Sequence, residues 1–158
     1  MVPSNDDPIA AWRSIVGLVH ASVAEGGERE LDRCADAESL TLRETVHHVV
    51  EANVVAASIV IAALGSPGCV YDWSWLQPFG PWLLRMRHGE RELGPSLTLL
   101  GALNDYVAAL VEPLPDGLAR TVRLRDAPDA PLRTTTVADV LRAEVEHARG
   151  HFARDLPP

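Results

Sequence analysis

Apolar residues recur every three or four positions in four separate stretches of this chain, and this periodicity constrains the fold more than any other feature. Such a stretch forms an amphipathic helix and must bury its apolar face against a neighbour. The first spans residues 7–25, with Ile9, Trp12, Ile15, Val16, Val19 and Val23 on one face. Asp6 or Asp7 can cap it, Pro8 suits its first turn, and Gly26-Gly27 should end it. The second begins at Thr41, which forms a capping box with Glu44, and runs to about residue 64. Its stripe carries Thr45, His48, Val49, Ala52, Val55, Ala56 and Ile59. The third covers about 96–112, capped by Ser96, with Leu99, Leu100, Leu103, Tyr106, Val107 and Leu110 as its buried side. The last starts near Thr136, capped by Thr135 or Thr136. It aligns Val137, Val140, Leu141, Glu144, His147, Ala148, His151 and Phe152.

Four such helices make an all-α four-helix bundle, read as a single domain over residues 1–158. A long irregular connection joins helices 2 and 3. It holds Trp73, Trp75, Phe79 and Trp82, and a short helix is expected at 81–91. Those aromatics either close one end of the bundle or form the wall of a substrate pocket. Residues 116–135 read as a polar loop, with an alternating stretch at 120–125 that has no evident strand partner.

Of the 158 residues, 47% are hydrophobic but only 5% aromatic, so the core must be built mainly of Val, Leu, Ile and Ala. The formal net charge of −8 repels phosphate backbones and anionic lipid, so neither nucleic acid nor a membrane is the expected partner. The 14 basic residues are all arginine, which excludes lysine Schiff-base chemistry. Cys34 and Cys69 lack CxxC spacing and make no disulfide framework. The N-terminus is acidic and polar, unlike a signal peptide. The longest apolar run, residues 52–64, falls short of the ~20 residues a bilayer requires. A cytoplasmic protein is expected.

His147 and His151 stand at i and i+4, one turn apart on one helix face. Buried neutral imidazoles need partners for both nitrogens, and a shared divalent metal would satisfy two on an apolar stripe. His48 occupies the matching stripe of the second helix, and bundles build metal sites from facing helices. Its neighbour His47 lies on a more mixed face. The expected ligands are therefore His48, His147 and His151. Glu144 precedes His147 by three residues and Glu51 follows His48 by three. Each is a surface carboxylate, a group that orients a ligand imidazole, or a general acid/base. His20 reads as a satisfied bundle residue. His88, set among arginines, reads as solvated or as a contact for an anionic substrate group. Arg142, Arg149 and Arg154 read as a solvated face.

The stretch Thr41-x-x-Glu44-x-x-x-His48 resembles the start of the second helix of DinB/YfiT-like proteins, where a W-T-x-x-E-x-x-x-H pattern supplies a metal histidine. His147-x-x-x-His151 resembles that family's last helix, where an H-x-x-x-H pair supplies the other two. Leu40 stands where the family usually has Trp, and Gly150 where it often has His. The resemblance implies a DinB-like bundle, often dimeric, with a three-histidine site for zinc first, or for nickel, iron or manganese. It also implies thiol-dependent chemistry. In Arg-rich actinobacterial relatives the thiol is mycothiol, and maleylpyruvate isomerase is one such member.

Three functions are thus in view. One is a metal-dependent, mycothiol-type S-transferase or isomerase acting on a small electrophile. A second is a hydrolase or lyase with Glu144 or Glu51 as base. The third is a non-enzymatic binding module with a vestigial site.

Overall fold

A computed structural model describes residues 7–34, 40–76 and 79–152, apart from the side chains of Arg29 and Phe79. Asp6 and Arg154 lie outside the described residues. The long helices are α1 (Pro8–Glu30), α2 (Leu42–Gly65), α4 (Leu93–Val111) and α5 (Val137–Phe152), with a short α3 (Phe79–Met86) between α2 and α4. The four-helix bundle expected from the stripes is present.

Local chemistry sets most of the boundaries. Asp7 caps α1 by accepting from the backbone N–H groups of Ile9 and Ala10. The helix continues past the expected stop to Glu30, but Gly27, at φ 62° and ψ 177°, breaks its regularity. Thr41 and Glu44 form the reciprocal capping box of α2. Thr136 Oγ1 accepts from the Asp139 backbone N–H at 3.1 Å, which starts α5. The expected short helix at 81–91 instead occupies Phe79–Met86. Arg87 then adopts left-handed φ/ψ, and His88–Glu90 forms a separate 3-10 turn.

α1 packs against α4 and α5, and α2 packs against the same two helices. Side-chain pairs give the directions. His47 meets Ser96 and Asn53 meets Asn104, so α2 and α4 run parallel. His48 meets His147 and Asn53 meets Glu144, so α2 and α5 run antiparallel. α2 is long and apolar enough to cross a membrane by length and composition. Here it serves as a central helix, burying Val46, Val49, Val60 and Ala63.

The core face of α4 differs in part from the expected one. Leu99 and Tyr106 are 45% and 53% exposed, whereas Ser96 and Asn104 are buried with Leu100, Val107 and Val111. Ser96 is not the cap, since Glu92 occupies that position. Leu100 and Val107 lie on the core face as expected, but hydrophobicity alone missed Ser96 and Asn104, which have partners inside the bundle.

The segment read as a loop contributes a sheet. β1 (Val70–Asp72) pairs parallel with β2 (Thr121–Arg125), and β2 pairs antiparallel with β3 (Arg133–Thr136). The missing partners of the alternating stretch are thus a strand from the connection between α2 and α4 and the residues just before α5. Val122 and Leu124 of β2 point into the core. The sheet lies beside the helices that carry the histidines.

Candidate metal centre

His48 on α2 and His147 and His151 on α5 are half-buried and meet where the two antiparallel helices pack. The Nε2 atoms of His48 and His147 are 3.0 Å apart, and those of His147 and His151 are 3.1 Å apart. The three rings stand nearly edge to face, with centroids 4.7–4.9 Å apart. Ligands at about 2.0–2.1 Å from a tetrahedral zinc ion lie roughly 3.3 Å apart, so this spacing fits a shared ion. Burial, then the neighbouring His147 and His151, lowers the His48 pKa to about 3. The ring is therefore neutral at physiological pH, the form that ligates a metal.

A buried polar chain stands behind His147. Its Nδ1 is 3.3 Å from both oxygens of Glu144. Asn53 Nδ2 donates to Glu144 at 2.8 Å, and Asn104 Nδ2 donates to Asn53 Oδ1 at 3.2 Å. The Trp12 indole N–H donates to the Asn104 backbone carbonyl at 3.3 Å. A carboxylate beside Nδ1 favours the tautomer with its proton there and leaves the Nε2 lone pair free to ligate. Burial pushes the Glu144 carboxyl up, while His147 and Asn53 pull it down. Asn53 and Asn104 had one visible signal in the sequence, since each is an amide on an otherwise apolar helix stripe. Nothing in the chain order indicated that they would meet.

Glu51 is placed differently. It accepts from Trp82 Nε1 at 2.9 Å, from His88 Nε2 at 3.0 Å and from Arg91 at 3.0 Å. Burial raises its pKa, but the hydrogen bonds from His88, Trp82 and Arg91 outweigh this and lower it to about 2. This carboxylate ties the connection between α2 and α4 to the helix that carries His48.

Other expectations need correction. His88 is not solvated. It is 1% exposed and held by Glu51, because the 3-10 turn folds it inward against His47. His20 is exposed on α1 instead of serving inside the bundle. His47 is buried away from the trio. Its Nδ1 is 2.8 Å from Ser96 Oγ and its Nε2 is 3.2 Å from the Arg91 carbonyl oxygen. Arg142 and Arg149 sit on the outer face of α5, paired with Asp139 and Glu146.

Of the tryptophans, Trp73 lines a pocket of about 340 Å³ beside the histidines, and Trp75 is 60% exposed. The pocket lies between the stripe of α2 from His48 to Ile59 and that of α5 from Asp139 to His147. Leu124, Arg133 and Thr135 of the sheet form its third side. This explains why the α2 stripe containing His48, Ala52 and Val55 is only half-buried: it faces the pocket.

The chain shares its fold with YfiT from Bacillus subtilis. The match has a TM-score of 0.73 and covers 97% of this chain and 84% of that one, at 20% sequence identity. That protein is described as a probable metal-dependent hydrolase with an unusual four-helix bundle topology. No protein-family model matches the chain, and no curated protein sequence matches it.

Gly150 lies between the two α5 histidines on the exposed side, and a Cβ added there meets nothing within 4 Å. Gly150→Ala should therefore raise stability by about 0.5–1 kcal/mol in urea titration and leave metal content unchanged.

Proposed function

We propose that the protein is a metal-dependent enzyme acting on a small, mainly apolar substrate, with His48, His147 and His151 as metal ligands. The observation that carries this reading is the convergence of three imidazole Nε2 atoms beside a pocket. The description of YfiT as a probable metal-dependent hydrolase points the same way. A divalent ion held by three imidazoles supplies Lewis acidity and open positions for water, a thiol or a substrate oxygen. Zinc suits this donor set, and nickel, iron and manganese are the alternatives.

The chain's own residues position and enclose. Glu144 holds the Nδ1 proton of His147 and fixes the ring, and Asn53 in turn holds Glu144. We assign Glu144 a positioning role. Glu51, saturated by three donors and with its pKa near 2, is a poor proton acceptor and acts as an anchor for the connection. Aliphatic walls exclude water from the substrate body. The reaction we favour is hydrolysis, in which the hydroxyl of water goes to the electrophilic carbon and its proton to the leaving group.

Turnover of 4-nitrophenyl butyrate should disappear on chelation and return when zinc is added. Chelator-insensitive turnover, or equal turnover by His151→Ala protein, would refute this reading. Glu144→Gln should weaken zinc binding by roughly 10–100-fold in calorimetry without unfolding the chain.

The resemblance to thiol-dependent DinB/YfiT-like enzymes supports a second reading, transfer or isomerisation with a mycothiol-type cofactor. Calorimetry of zinc-loaded protein with mycothiol tests it, and absence of heat at millimolar thiol removes it.

A further inference from the structure

The shape of the pocket says more about its ligand than its size does. On α2 the lining runs through His48, Ala52, Val55, Ala56 and Ile59, a single stripe of eleven helical steps, or about 16 Å. On α5 it runs from His147 back to Asp139, eight steps or about 12 Å. The helices are antiparallel, so both stripes start at the histidines and extend the same way. The pocket is therefore a slot with the metal centre at one end. Its volume is about 340 Å³. Spread over about 12–16 Å, that volume leaves a mean cross-section of only about 21–28 Å², so the slot is narrow. A fused ring system of equal volume is shorter and broader.

The side chains agree with this shape. Ala52 and Ala56 on α2 and Ala143 on α5 all line the slot, and their small side chains leave room between the stripes. Val55, Ile59 and Val140 add aliphatic carbon, while Arg133, Thr135 and Asp139 add polar groups. The aliphatic walls reward each methylene removed from water by about 0.8 kcal/mol and offer few hydrogen bonds to a polar body.

We propose that the slot binds an unbranched aliphatic chain lengthwise, so that the substrate is a linear acyl compound whose polar group lies at the histidines. The catalytic part of this rests on the metal-dependent reading above, and the slot itself does not. The walls of the slot set which chain length and width are accepted, and Ala56 and Ala143 are the residues that set its width.

Calorimetric titration with 1-decanol and 1-adamantanol tests the slot directly. The two alcohols have the same number of heavy atoms and differ in shape. Decanol should bind at least about tenfold more tightly. Ala56→Leu and Ala143→Leu should each weaken decanol by about tenfold or more and leave zinc content at the wild-type value. Ala143 is exposed on its helix, so its variant is expected to fold even if the Ala56→Leu substitution overpacks the core. Equal affinity for the two alcohols, no binding of decanol, or unchanged decanol affinity in both folded variants would overturn the proposal. Decanol binding by protein that takes up no zinc would support the slot and overturn only the metal-dependent reading.

Discussion

His48→Ala or His151→Ala protein, purified beside wild type and equilibrated with limiting zinc, should hold only a small fraction of the one ion per chain expected of wild type. Loss of a residue that merely supports a ligand typically lowers affinity by roughly 10–100-fold, and removal of a ligand itself costs more. His48 provides the sharper case because its neighbour is a built-in control. His47 is also an imidazole on α2, yet its nitrogens are occupied by Ser96 and the Arg91 carbonyl. His47→Ala should keep its zinc and lose about 1–3 kcal/mol of stability, the usual cost of stranding buried polar partners. Elemental analysis and urea titration of the three variants separate the roles. Equal zinc loss from His47→Ala and His48→Ala would contradict the assignment of ligands.

Glu51→Gln should produce the second large effect, on stability instead of metal content. The folded pKa of Glu51 is lowered from 4.5 to about 2. A depressed carboxylate stabilises the fold above its unfolded pKa and loses that contribution as pH falls through the folded one. The shift corresponds to about 3 kcal/mol. The groups facing it are Trp82 from α3, His88 from the 3-10 turn, Arg91 from the segment before α4, and His48 one turn away on α2. In metal-free protein, wild type should therefore exceed Glu51→Gln by about 3 kcal/mol at pH 7. The gap should narrow between pH 4.5 and 2 and close below 2. A gap independent of pH would mean that shape, and not charge, is what Glu51 supplies.

These two residues show how far the chain order could be read. His48 was separable from His47 because helical periodicity puts the two on different faces, 100° apart, and only one shares its face with the small and aliphatic residues of the stripe. The same argument did not identify what that face meets. Thr45, Val49, Ala56 and Ile59 are buried as expected, but the structure turns His48, Ala52 and Val55 toward a pocket. Glu51 was recognised as close to the site, but Trp82, His88 and Arg91 come from more than thirty residues downstream and could not be paired with it by spacing. Leu99 and Tyr106 were placed inside on hydrophobicity, while Asn53 and Asn104, whose amides pair only across the bundle, were not among the candidate site residues.

Periodicity and capping by themselves determined that this chain forms four long helices, where α2 and α5 begin, and that His48 shares a stripe with small and aliphatic residues on α2 as His147 and His151 share one on α5. These are local properties, set by hydrogen bonds and side-chain spacing within a few residues. Tertiary structure alone decided the order in which the helices pack, the small sheet that joins distant segments, the buried polar chain from Asn104 to His147, and the slot beside the histidines. Each depends on contacts between residues far apart in the chain, and a one-dimensional pattern holds no record of which faces meet.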